Sequence, residues 1–261
     1  MFGRVFTIAL NTYRESVRAR ILLGLTGVAF AVAFYSLIVG AFALQEAPRV
    51  VADLGAAATS VFSIAVAILI GATSLHRELE QKTIFPLLAR PIRRTEYLIG
   101  KYGGTMLVVT VFIMAEGGLV LMMGAMLAGA SVATVLGVVL SLAAALGFAA
   151  WRSPRWRTFG PIPWALAMFV SGLILCGAAP LERNLMLNSS MLCFLEVAVI
   201  AALATLFSSF STPFLSSLFT IGAVVVGRSA DALARLPKKF FGSFIHDMGA
   251  LLAAVVPNLH I

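Results

Sequence analysis

The sequence predicts an all-α polytopic membrane protein, with residues 1–261 forming a single transmembrane domain, and three observations carry that expectation. Of the 261 residues, 61% are hydrophobic and only 11% charged, against about 25% charged in an ordinary soluble domain. Mean hydropathy is +1.01 over the whole length, and no polar block is long enough to fold alone in water. Apolar stretches of about 20 residues, the length a helix needs to cross the hydrocarbon core, recur along the chain. A soluble globular enzyme is excluded. The excess of 19 Lys and Arg over 11 Asp and Glu reads as membrane topology and not as a nucleic-acid face. Cys176 and Cys193 lie in apolar runs where a thiol behaves as a small hydrophobe, so neither a disulfide nor a metal site is inferred.

Residues 1–20 come first. Phe2, Val5, Phe6, Ala9, Leu10, Tyr13 and Val17 share one side of a helix and Arg4, Asn11, Arg14, Glu15 and Arg18 lie mostly on the other, the pattern of an interfacial helix whose arginines snorkel toward lipid phosphates. About seven spans follow, over residues 21–44, 54–75, 103–128, 132–150, 162–179, 189–208 and a short 213–227. Placing the N-terminus in the cytoplasm puts thirteen basic residues inside and six outside, as the positive-inside rule requires. The fourth span repeats small residues at Ala133, Gly137, Ser141, Ala145 and Ala149, which reads as an internal packing face. After the seventh span, residues 228–261 form an external tail. Within it, 244–256 are apolar but too short for a full crossing, and a re-entrant helix is expected there.

One segment departs from this composition. Residues 76–104 are dense in charge and interrupted by Pro86 and Pro91, so they form a cytoplasmic loop between the second and third spans. Leu79, Thr83 and Leu87 fall on one face of a short helix that Pro91 ends, and a second turn over 95–101 leads into the next span. This rod offers apolar knobs and guanidinium groups to a partner.

The residues of that loop carry a resemblance. Glu78 or Glu80, Thr83, then Leu87-Leu88-Ala89-Arg90-Pro91-Ile92, Arg94, the aromatic Tyr97, and Gly100-Lys101 with Gly104 resemble the pattern of ABC transporter permeases of the type-two exporter class. The Ser-rich turn 206–213 and the segments 227–231 and 256–259 are similar to later parts of such permeases, near the nitrous-oxide-reductase maturation and gliding-type members. Residues 131–180 do not match and look like an inserted helix pair. The resemblance implies a membrane subunit in the bacterial inner membrane that works as a homodimer or pseudo-symmetric heterodimer. It also implies separate ATPase subunits docking on the coupling segment 77–101, with Arg77, Glu78, Glu80, Thr83, Leu87, Arg90, Pro91, Arg94, Tyr97, Gly100 and Lys101 as contact or coupling residues. It further implies one more span after the external element, at the point where the sequence reaches Ile261. The chain holds no Gly-x-x-x-x-Gly-Lys-(Ser/Thr) cradle, so ATP and Mg are expected on the partner and this chain is not itself an enzyme.

Glu116 and Glu196 are the acids placed deep in spans. Intramembrane acids are functional candidates by default. Both could line a substrate path and meet a cation or amine; the alternative is a packing role, favoured for Glu196 because it sits nearer the surface. Three other functions compete. A subunit that transmits ATPase work to an envelope machine without moving a solute would keep the same resemblance. An ion-coupled secondary transporter would need a midplane ion site and an internal repeat, and neither is visible. An intramembrane enzyme lacks histidines at depth, since His76, His246 and His260 fall at span ends or in the tail.

Overall fold

The computed structural model describes residues 2–43, 46–80 and 93–229, all of its regular structure helical. In chain order the helices are α1 (Phe2–Arg18), α2 (Arg20–Phe42), α3 (Ala47–Glu80), α4 (Arg94–Leu127), α5 (Val132–Arg152), α6 (Pro154–Phe159), α7 (Pro161–Leu175), α8 (Pro180–Ser208) and α9 (Pro213–Arg228). Four of them begin on proline, at Pro154, Pro161, Pro180 and Pro213, where the missing N–H is one the helix could not have bonded anyway. Helix α4 ends by a glycine cap. Gly129 sits at φ 99°, the Ala130 N–H donates to the Ala125 carbonyl at 2.9 Å and the Gly129 N–H to Met126 at 3.3 Å, which satisfies the last carbonyls of a Schellman turn.

Among the described residues five helices are long and apolar enough to cross a membrane: Leu22–Phe42, Ala47–Thr73, Arg94–Leu127, Val132–Arg152 and Pro180–Ser208. The chain is a multi-pass membrane protein. The expected fifth and seventh spans are the shorter apolar helices Pro161–Leu175 and Pro213–Arg228. The expected re-entrant element at 244–256 and the rest of the tail from residue 230 lie outside the described residues.

The bundle is built around α4. Its most apolar window is 78% buried, against 17% for α2 and 6% for α5, so α4 is the central helix and the other two face mainly outward. Glycines let its neighbours close in. A methyl group on Gly55 of α3 would lie 2.3 Å from the Val120 side chain, and one on Gly118 would lie 2.7 Å from the Met168 and Phe169 backbone of α7. Such small residues bring helix backbones together where lipid supplies no hydrophobic drive.

Two sequence expectations change. The second span begins at Ala47, seven residues before the expected start at Leu54: Arg49 and Asp53 end the apolar run but lie exposed one turn apart, so they do not interrupt the helix. The small-residue stripe of α5 is not an internal face: Ala133, Gly137, Ser141 and Ala145 are exposed. Val135 is buried, with Val138, Val139 and Leu142 packed beside it. Helix α7 occupies the glycine surface of α4 at Gly118, and α5 meets the bundle through Val135 and its apolar neighbours.

Candidate functional site

Two clusters of polar residues break the apolar bundle. The first is the base of α4, where the chain emerges from the segment 81–92. Arg93 is extended (φ −71°, ψ 142°), and its N–H donates to the Glu96 carboxylate at 3.4 Å, which caps the helix start with a side chain three residues on. From there α4 runs against the interfacial helix α1. A methyl group on Gly100 would lie 2.7 Å from the Ile8 side chain, and one on Gly104 would lie 2.5 Å from Thr12 Cβ and 2.6 Å from the Ala9 carbonyl. Thr12, Tyr13 and Ser16 are buried on α1, whereas Phe6, expected on its apolar face, is exposed. Helix α1 packs the strip of Thr12 and Ser16 on α4 and leaves Phe6 open on the outside of the bundle. Lys101 is 2% exposed; its ammonium lies 3.9 Å from the Glu15 carboxylate and 5.9 Å from the centre of the Tyr97 ring. Beside that strip, Tyr13 stacks on Phe159 at 6.1 Å, and burial pushes its phenol up to about 12.

The expected coupling residues thus divide. Arg94, Tyr97, Gly100 and Lys101 belong to the base of α4; Gly100 and Lys101 face α1, and Arg94 is exposed. Arg77, Glu78 and Glu80 fall at the end of α3, which runs unbroken out of the apolar region. Thr83, Leu87, Arg90 and Pro91, with the proposed rod, lie outside the described residues.

The second cluster is a polar seam inside the bundle. Arg228, at the end of α9, donates from Nε to Glu196 Oε1 at 2.8 Å and from Nη2 to Oε2 at 3.0 Å. The same Nη2 donates to Ser60 Oγ of α3 at 2.5 Å, and Ser60 donates to Glu196 Oε2 at 3.3 Å. Three helices meet in this forked, charge-assisted contact. One turn away, Ser63 Oγ lies 3.0 Å from Cys193 Sγ and also donates to the Thr59 carbonyl. Helix α8 begins at Pro180, about four turns before Glu196, whose side chain is 1% exposed.

Glu116 lies deeper in α4, fully buried, and neither carboxyl oxygen has a hydrogen-bond partner among the described residues. The Val120–Gly55 contact directs this face of α4 at α3, since residues four apart share a face. Next to it, a methyl group on Gly117 would lie 3.3 Å from the Ser190 hydroxyl of α8, which also lacks a partner among the described residues. Sequence reading found both acids. It missed Ser60, Ser190 and above all Arg228, assigned to an external tail; the available signal was an arginine closing an apolar helix of only 16 residues.

A profile described as ABC-2 family transporter protein matches residues 14–152, more than half of the chain, from α1 through the base of α4 to the end of α5. The comparisons with curated proteins and with solved structures gave no match. With its multi-pass helical bundle and a family match over residues 14–152, which takes in the base of α4 and Ser60 but neither Glu196 nor Arg228, the chain belongs to the ABC-2 family of transporter permeases.

Proposed function

We propose that this chain is the membrane-spanning subunit of an ATP-driven exporter, working as a dimer with separate ATPase subunits in a bacterial inner membrane, its N-terminus cytoplasmic. Family membership supplies the ATPase partners. One observation supports the contact site: residues 81–92 join the two 34-residue helices α3 and α4, so a displacement of that segment reaches both. Neither helix can absorb it locally, because each continues into the packed bundle. Glu116 is proposed as a group on the substrate path, since an intramembrane acid without a donor is satisfied by a ligand that brings one. Glu196 is committed to Arg228 and is a packing residue in this reading.

The test is copurification from detergent, asking whether an ATPase subunit comes with the chain, followed by transport in vesicles. Arg94→Glu should reduce ATPase recruitment about tenfold or more, as reversing a charge across a contact does, while leaving the bundle folded. Glu116→Gln should leave recruitment intact and lower transport. Wild-type recruitment by the reversed variant would remove the α4 base from the ATPase contact.

A further inference from the structure

The corner between α5 and α6 is basic, aromatic and exposed, and neither polar cluster uses it. Ser153 is extended (φ −150°, ψ 133°), so the chain turns sharply after Arg152. Arg157 folds back and donates from Nε to the Ala150 carbonyl at 2.9 Å, closing the end of α5 and fixing the turn. Trp151 and Trp156 flank it, 76% and 49% exposed. The Tyr13–Phe159 stack then brings α1 to the same corner, with Arg14 next to one stacked ring and Arg155 one turn from the other. Arg14, Arg18, Arg152 and Arg155 are exposed, and none has an acidic partner among the described residues. The acid of α1, Glu15, is already engaged by Lys101, and the sequence holds no Asp or Glu between Glu116 and Glu182.

This arrangement has the chemistry of a membrane–water boundary. Tryptophan sits where one end of the ring is apolar and the other wet, and arginine binds phosphate oxygens bidentately. Four guanidinium groups on three helices, without acidic partners among the described residues, held together by a ring stack and bracketed by tryptophans, demand anions at headgroup depth. We infer that the α1/α5–α6 corner is a binding surface for anionic phospholipid headgroups, which bridge α1 to the end of α5. The lipid is recognised by its phosphate and its net negative charge, so zwitterionic phosphatidylcholine is a poor substitute. This inference is independent of the exporter reading, because it needs neither an ATPase nor a substrate.

The experiment uses the full chain carrying Trp164→Phe, so that Trp151 and Trp156 report alone. It is reconstituted in phosphatidylcholine vesicles containing a minor share of phosphatidylglycerol, with bromine placed on the acyl chains of one lipid or the other. At equal mole fraction, brominated phosphatidylglycerol should quench at least about twofold more than brominated phosphatidylcholine, and the excess should fade at high salt. Arg152→Gln with Arg155→Gln should erase the excess, while Arg49→Gln, beyond the opposite end of the bundle, should keep it. If the double variant fails to fold, the salt dependence of the parent chain still decides. Equal quenching by the two lipids, or an excess that survives in the double variant, overturns the inference. Equal quenching with the tryptophans shielded by added ATPase subunit would give the arginines to a protein partner instead.

Discussion

Glu196 and Arg228 lie 32 positions apart, yet they form the best-made polar contact in the bundle, and their exposures differ: the Arg228 side chain is 38% exposed and that of Glu196 1%. Removing one partner therefore has unequal consequences. Glu196→Ala leaves a guanidinium that can turn outward and should cost about 1 kcal/mol. Arg228→Ala strands a buried carboxylate and should cost about 3 kcal/mol or more. The double variant should recover much of that loss, measured by thermal or denaturant unfolding in the same detergent; equal single effects that simply add would mean the fork contributes no coupling. At this scale the sequence is half legible. An acid in an apolar run is conspicuous, and both Glu116 and Glu196 stood out for that reason. Which cation answers it is a tertiary fact, set by how α9 leans on α8 and α3; the arginine closing a short apolar helix marks Arg228 without naming its partner. Lys101 gives the same lesson in reverse: in a charged loop it reads as an exposed contact, whereas the Gly100 and Gly104 surface draws α1 over it.

At the scale of elements, the glycines of α4 determine which helices are neighbours. Gly103 and Gly104 make a controlled pair, because a methyl group on Gly103 would meet only Ala9 Cβ at an ordinary 3.7 Å, while on Gly104 it would press into Thr12 and the α1 backbone. Gly104→Ala should pry α1 from α4 at a cost of about 1–3 kcal/mol and speed hydrogen exchange of the α1 amides. Gly103→Ala should leave exchange near the parent rate, and indistinguishable variants would mean that α1 is not held by this surface. Helix existence was legible from apolar run length, and the breaks at Ala19 and Gly129 agree with the expected limits of the interfacial helix and the third span. Helix facing was not. The α5 stripe and the Gly100/Gly104 pair are both small residues four apart, and only the second is buried against a helix, because a stripe says that a backbone can come close without saying whose.

For the whole molecule, the ring stack of Tyr13 on Phe159 puts the α5–α6 corner on the same side of the bundle as α1, and α7 leads from that corner to the turn at Cys176–Ala178. A reporter fused after Pro154 should therefore share the sidedness of the N-terminus, and one fused near Asn184 should be on the opposite side; identical sidedness would mean that α7 does not cross. Overall class and family were legible because composition and the residues around Arg90–Lys101 act without tertiary context. The order of packing was not, since it emerges from close approaches among helices far apart in sequence. The grip of α1 at Gly104 also divides α4 unevenly. About 15 Å of helix lie on the side of Arg94 and about 35 Å toward Leu127, at 1.5 Å per residue. With the α7 backbone also pressed on Gly118, α4 is clamped at two points about 21 Å apart, and Glu116 lies on the stretch between the two clamps.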